Sequence, residues 1–272
     1  ELNIFTFHLL DYWNDYRGRL ERDQLDMFIP TRYFVPDEFA LKKSIQEGVP
    51  RDIIKIVGQP AFSDSHFFYK ISSLKKSPFN FINQNNKKIL LFISEPVSDD
   101  QGRSYEENPN YRGYTEEDVL KILIKALSSL NENYLIVLLP HPRQNIEKLK
   151  LFWRLSGGES FGEIYISENS RKLLPFVDGV IGMASTLLYE SWLIGKTALS
   201  IQPGVIKNNL EMMNNKKGFE FIYNYDNAQE IVVKWLLKLK DSPSKKTSGH
   251  IELHKNSAKR VIEEIIKFDK IN

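Results

Sequence analysis

Apolar runs and amphipathic stretches alternate along the chain, and their order predicts the architecture. "NIFTFHLL" (3–10), "TRYFVP" (31–36) and "DIIKIVGQP" (52–60) are short runs of aromatic and branched residues with the character of strands. Between the last two lies "PDEFALKKSIQEGVP" (36–50), a predicted helix that Asp37 and Glu38 open and Gly48 and Pro50 close. Strand, helix, strand with short turns builds a parallel sheet, because the crossover helix returns the chain to the edge it started from. The pattern restarts at "KKILLFIS" (87–94). It runs on through "NYLIVLLP" (133–140), "GEIYIS" (162–167), "VDGVIG" (177–182), "TALSIQ" (197–202) and "FEFIYN" (219–224). In "TEEDVLKILIKALSSLNEN" (115–133), Val119, Leu120, Leu123, Leu127 and Leu130 form one stripe, and Thr115 with Asp118 is placed as a capping box. "NAQEIVVKWLLKLK" (227–240) and "NSAKRVIEEIIKF" (256–268) are further helices of the same kind.

These elements predict an α/β protein with a doubly wound, Rossmann-like parallel sheet over 87–240. A partial Rossmann-like domain is expected over 1–62, a polar connector over 63–86, and a linker with a terminal helix over 241–272. The chain opens on Glu1 rather than Met and passes almost at once into a strand-like run, so residues preceding it are expected. "ELNIFTFHLLDYW" has neither the basic start nor the small-residue cleavage site of a signal peptide.

Composition removes several classes of function. The 272 residues carry a formal charge of only +2, which leaves no clustered basic face for nucleic acid. There is no cysteine, so disulfides, thiolate catalysis and cysteine-held metals are excluded. No run reaches the ~20 apolar residues of a membrane span. An Asn- and Lys-rich chain of this kind suits the cytoplasm of a bacterium, with peripheral association at the inner membrane face compatible with it.

The candidate chemistry sits where predicted strands stop. In open parallel sheets ligands bind outside the carboxyl ends of the strands. Four such ends are unusual here: Ser94-Glu95-Pro96, His141-Pro142-Arg143, Gly182-Met183-Ala184-Ser185-Thr186 and Gln202-Pro203-Gly204. Pro142 holds His141 in an extended or turn geometry, which presents the imidazole to a phosphate oxygen, and Arg143 adds a second donor. The alternative is a histidine that only caps its strand. "GMASTLLYE" leads from Gly182 into a helix whose first turn offers N–H groups and a positive dipole end, with Ser185 and Thr186 adding hydroxyls and Glu190 placed for a ribose hydroxyl. Ordinary N-capping by Ser185, worth about 1 kcal/mol, is the competing explanation. The long loop "EPVSDDQGRSYEENPNYRGY" (95–114) puts Glu95, Tyr111 and Tyr114 in reach of a base or sugar, because loops of that length are usually functional or disordered. Near the first strand, His8, Asp11, Asp15 and Arg17 are available, and Asp11 is the candidate general base for an acceptor hydroxyl. His66, His250 and His254 fall in connectors and are expected to be solvated. No His/Asp/Glu spacing suggests a metal site.

A strand running into "HPR", followed by "VDGVIGMASTLLYESWLIGKTALSIQPG", resembles the C-terminal domain of GT-B-fold glycosyltransferases. The bacterial relatives it is similar to are the HP-motif sialyltransferases, the CDP-glycerol glycerophosphotransferases and the UDP-N-acetylglucosamine 2-epimerases. "TRYFVPDEFALKKSIQEGVPRDIIKIVGQPAFSD" likewise looks like that superfamily's passage from its N-terminal domain into the linker. The resemblance implies that His141, Ser185 and Thr186 hold the phosphate of a nucleotide-sugar donor, with no further cofactor. It implies transfer to a glycan or lipid-linked acceptor of a growing cell-surface polysaccharide. Two departures bear on this: only about sixty residues precede the connector, and the hydroxyl motif reads Ala-Ser-Thr. A sugar-nucleotide epimerase or hydrolase, and a non-catalytic binding module, are the rival expectations.

Overall fold

The structure, a computed structural model, describes residues 4–22, 26–63, 79, 87–130, 134–167, 169–205, 210–241 and 250–269. Of the connector expected over 63–86, all but Ser63 and Phe79 lies outside the described residues, as do His66 and residues 242–249 of the expected linker. Two compact units emerge: one takes residues 1–67, 209–212 and 249–272, the other 68–208 and 213–248.

In the first unit, β1 (Phe7–Leu9), β4 (Arg32–Val35) and β5 (Ile54–Ile56) form a parallel sheet in the order β1-β4-β5. A ribbon of β2 (Glu21–Arg22) and β3 (Asp26–Met27) lies between β1 and β4 in sequence. Helix α1 (Glu38–Gln46) starts where Asp37 Oδ1 accepts from Ala40 N at 2.8 Å, which satisfies one of the orphan donors of the first turn.

In the second unit, β6 (Lys88–Ile93), β7 (Tyr134–Leu139), β8 (Gly162–Ile164), β9 (Gly179–Gly182), β10 (Thr197–Ile201) and β11 (Phe219–Ile222) form one sheet in the order β11-β10-β9-β6-β7-β8. Every pairing is parallel. Strands covered by helices on both faces read as continuous apolar runs rather than alternating ones, and β6 "KILLFI" and β7 "YLIVLL" do so. The helices are α2 (Val97–Gln101), α3 (Glu116–Ser128), α4 (Ile146–Leu155), α5 (Thr186–Leu193) and α6 (Ala228–Asp241). The capping box on α3 is present in both directions, Thr115 Oγ1 accepting from Asp118 N and Asp118 Oδ2 accepting from Thr115 N.

Two details differ from the sequence expectation. The loop after β6 contains the short helix α2, and the β8–β9 connection is a 3₁₀ stretch, Ser170–Phe176, with Pro175 inside it. A proline removes the donor that an α-helical turn would need there.

The last two helices, α7 (Ile251–His254) and α8 (Ser257–Asp269), belong to the first unit. Phe268 on α8 meets Phe5 and Phe7 at ring-centroid distances of 5.3 and 5.7 Å, and Arg260 Nε donates to the Val57 carbonyl at 2.9 Å. His254, expected in solvent, is fully buried: its Nδ1 accepts from Gln59 N at 3.0 Å, and burial pushes its pKa down to about 4. Sequence position gave it a connector, whereas packing of α7 against the turn at Gln59 gave it a core. No helix among the described residues is long and apolar enough to cross a membrane.

Candidate functional site

The chain enters the second sheet at β6, proceeds outward through β7 to β8, and then returns to the other side of β6 at β9. That reversal is a topological switch point, and the crevice outside the carboxyl ends of β6 and β9 is where such sheets take ligands. Register fixes what lines it. Ile93 pairs with Gly182 on one side and with Leu139 on the other, so Ser94, Pro140-His141 and Met183-Ala184 leave the sheet at one level. Gly182 packs tightly on β6: a Cβ there would come within 3.2 Å of the Ile93 carbonyl, closer than an ordinary contact.

His141 heads a tight turn. Its Nδ1 accepts from Arg143 N at 3.2 Å, and its carbonyl accepts from Gln144 N at 2.9 Å. With Nδ1 as acceptor, the neutral ring carries its proton on Nε2. Burial, with Arg143 adding to it, holds the imidazole below its ordinary pKa. The residue therefore offers a neutral N–H donor near pH 7. Arg143, expected as a second donor toward the phosphate, is exposed, and its guanidinium fork is engaged by Asp100 at 2.8 and 2.9 Å.

The turn from β9 into α5 is fixed from below. Ser200 Oγ donates to the Met183 carbonyl, and Gln202 Nε2 donates to Ser200 Oγ at 2.8 Å. Ser185 is the N-cap, its Oγ accepting from Leu187 N at 3.3 Å, so its own O–H remains to donate. The Thr186 hydroxyl has no hydrogen bond among the described residues.

The amides of this turn differ from expectation, because the protein fills part of the anion site itself. Glu95 turns its carboxyl inward: Oε2 accepts from Ala184 N at 2.6 Å, with the neighbouring Ser185 and Met183 amides adding to the field that favours its charged form. Burial pushes the Glu95 carboxyl above its usual range, and those amides together with the nearby Arg112 charge pull it back. Glu190, on the buried face of α5, is met by Arg171, with Nε to Oε2 at 2.6 Å and Nη2 to Oε1 at 3.1 Å. Burial raises it and Arg171 lowers it, leaving a pKa of about 7.

Two cavities flank His141. The larger, about 440 Å³, is lined by Ser94, His141, Pro142, Ser185, Thr186 and Glu190, together with Ser167, Asn169, Ser170 and Arg171 from the segment before β9. The smaller, about 190 Å³, is lined by Glu95, Asp100, Gln101, Arg112, His141 and Arg143. His141, Ser185, Thr186 and Glu190 thus share one hollow, with Gly182 beneath the turn, while Glu95 and Arg143 face the other. Asp11 is in the first unit, where it pairs with Arg19.

Tyr114, read as a ligand contact, is a fully buried core residue, and the Tyr111 ring meets Tyr105 edge-on at 5.2 Å. The loop's length drew attention to these aromatics, but the charge facing a cavity is Arg112 between them. Ser94, named only as part of a strand end, lines the larger cavity at 1% exposure, and its Oγ has no partner among the described residues. Arg171 carried no signal in the sequence, because nineteen positions separate it from the carboxylate it pairs with.

No protein-family model matches this chain. No curated protein matches it either. Solved structures do. UDP-GlcNAc 2-epimerase from Neisseria meningitidis bound to UDP-GlcNAc aligns with a TM-score of 0.64 at 15% identity, covering 96% of this chain and 69% of that one. UDP-GlcNAc 2-epimerase from Methanocaldococcus jannaschii aligns at 0.64 and 14%, covering 97% and 70%. A glycosyltransferase from Rickettsia africae aligns at 0.52 and 14%, covering 87% and 63%. Likeness at these identities establishes architecture: the chain has the GT-B-type fold, built from Rossmann-like α/β units with parallel sheets.

Proposed function

We propose that this protein is an enzyme acting on a nucleotide-sugar, with the nucleoside diphosphate seated in the larger cavity and the bond to the sugar broken beside His141. The observation that carries the proposal is that one hollow at the switch point is lined by His141, Ser94, Ser185 and Thr186, at the N-terminal end of α5. Its volume of about 440 Å³ falls within the ~300–1,000 Å³ of small-molecule sites. Several aligned donors placed where a leaving phosphate gains charge stabilise the transition state more than the ground state, with no divalent ion required. Glu190, held by Arg171, is the acceptor for a ribose hydroxyl in this reading.

The finer assignment is a glycosyltransferase that moves the sugar to a glycan or lipid-linked acceptor, with Asp11, ion-paired with Arg19 in the first unit, taking the acceptor proton. A second reading, epimerisation or hydrolysis of the sugar-nucleotide, is favoured by the neighbours from Neisseria and Methanocaldococcus, both of which are described as UDP-GlcNAc 2-epimerases. Incubation with UDP-GlcNAc, with and without a mixture of oligosaccharide acceptors, separates the two. UDP released only when acceptor is present is the expected result. An isomerised sugar-nucleotide or free sugar without acceptor replaces transfer with the second reading. Failure of the wild-type protein to bind UDP in a calorimeter removes both, and loss of UDP release on chelation removes the metal-free account.

A further inference from the structure

We infer that His254 is a positioning residue: from the C-terminal helices it holds, through Gln59, the loop that carries Asp11, and it does so only while its imidazole is uncharged. The residues concerned stand at positions 11, 59 and 254 and meet within the first unit. Each link is a hydrogen bond. His254 Nδ1 accepts from Gln59 N at 3.0 Å, and Gln59 Nε2 donates to the Asp11 carbonyl at 2.6 Å. Both His254 and Gln59 are buried. Aromatic rings run beside these bonds: His254 meets Phe62 edge-on at 5.6 Å, and Phe62 stacks on Trp13 at 6.1 Å. Trp13 Nε1 donates to Asp37 Oδ2 at 2.8 Å, which ties the loop to the start of α1.

The turn between the helices and the loop has no slack. Gly58 has φ +84°, and a Cβ on it would come within 2.3 Å of the Leu253 carbonyl, so α7 lies directly on the backbone that follows β5. Arg260 on α8 spans the same contact, donating to the carbonyls of Val57 and Leu253. A displacement of α7 therefore moves Gln59, and Gln59 is hydrogen-bonded to the backbone of Asp11. That bond fixes where the carboxylate paired with Arg19 stands.

A charge on the ring breaks the first link. A neutral imidazole that accepts at Nδ1 carries its proton on Nε2, and a second proton on Nδ1 turns the acceptor into a donor facing the Gln59 N–H. The surroundings favour the uncharged ring. The turn Val57–Phe62 contains no ionisable side chain, and His250 and Arg260 add positive charge from the start of α7 and from α8. Neighbouring carboxylates are engaged elsewhere: Glu252 by Lys255, Asp11 by Arg19, and Asp37 by Trp13 and the Ala40 amide. A released ring, with the ordinary value of 6.5, takes a proton more readily than the docked one at about 4. Acid therefore favours release, by about twentyfold between pH 7 and pH 5.

Hydrogen–deuterium exchange read by mass spectrometry, corrected for the intrinsic pH dependence of exchange, tests each link in the intact protein. In the wild type, protection of residues 10–20, 57–62 and 251–266 is expected to fall about twentyfold from pH 7 to pH 5 while β6 and β7 keep theirs. His254→Asn puts an amide oxygen, which does not titrate here, near the place of Nδ1. It should match the wild type at pH 7 and lose less than about threefold at pH 5. Gln59→Met keeps the backbone bond to His254 and removes only the donor to Asp11. Residues 10–20 should then exchange about fivefold faster at pH 7, with 251–266 unchanged. A wild type equally protected at both pH values, or an acid loss of the same size in His254→Asn, would overturn the acid release. Unchanged exchange of residues 10–20 in Gln59→Met would show that loop and helices only pack side by side and would overturn the positioning role, whether or not the histidine variant folds. No nucleotide enters these measurements, so none of the outcomes bears on the nucleotide-sugar reading.

Discussion

On the larger-cavity side of His141 a buried carboxylate, Glu190, is matched by the guanidinium of Arg171, whereas on the smaller-cavity side Glu95 is matched by backbone amides of the turn into α5. Both carboxyls are pushed up by burial. The amides at Glu95 come with the fold and carry no side-chain entropy, while Arg171 must be ordered and half-buried to serve Glu190. A buried charge matched by another charge leaves a costly remainder when one member goes. A carboxylate held by amides loses its partners only if the turn itself moves.

The largest effect that would sharpen this contrast is expected from Arg171→Met. It leaves Glu190 enclosed without a partner and should lower unfolding stability by about 2–3 kcal/mol, below the ~3–5 of a fully buried pair because the Arg171 side chain is 37% exposed. Urea unfolding measures it; a loss under half a kcal/mol would show that the pair does little for the fold. Next comes pH. Folded Glu190 keeps its proton up to about pH 7, against a reference value of 4.5, so the folded state binds more protons across that window. Stability should therefore fall as pH rises from about 4.5 to 7, by up to about 3 kcal/mol, and level off above. Glu190→Gln should flatten that slope, and thermal melts at several pH values report it.

His141→Ala is expected to weaken UDP binding or turnover at least tenfold, about 1.4 kcal/mol, with the melting temperature nearly unchanged, since the side chain is half exposed. A large loss of stability would make it a structural cap instead. The smallest effect is expected from Ser94→Ala. Removing a buried hydroxyl that has no partner among the described residues should leave stability nearly unchanged, but it removes one hydrogen bond to the ligand, about 1 kcal/mol or fivefold in UDP affinity. Unchanged affinity would place Ser94 outside the binding set.

The same contrast shows what could be read along the chain. Gly182, Ser185, Thr186 and Glu190 lie within nine positions of each other, so one strand-to-helix turn carries their chemistry, and the spacing of small, hydroxyl and acidic residues announces it. Arg171, Arg112 and the inward turn of Glu95 could not be read in this way. Arg171 and Glu95 meet their partners nineteen and eighty-nine positions away, and Arg112 acts by charge on Glu95 seventeen positions back, so only the fold brings them together. His254 failed for the same reason in the first unit, where a histidine in an apparent connector acquires a core through a contact 195 positions back.

By itself the sequence indicated the strands of the two parallel sheets and most of the helices, and that reactive side chains cluster where those strands end, because periodicity, capping and breaker residues act over a few positions; it did not show the helix Val97–Gln101 or the antiparallel ribbon of β2 and β3. Only tertiary structure decided that β6 and β9 are neighbours, which puts Ser94 and Glu95 against the turn at Met183–Ser185. It also decided that the helix amides expected to await a phosphate are already shared with a carboxylate of the protein. Strand order and the matching of buried charge are set by packing across the whole sheet, and no local pattern encodes them.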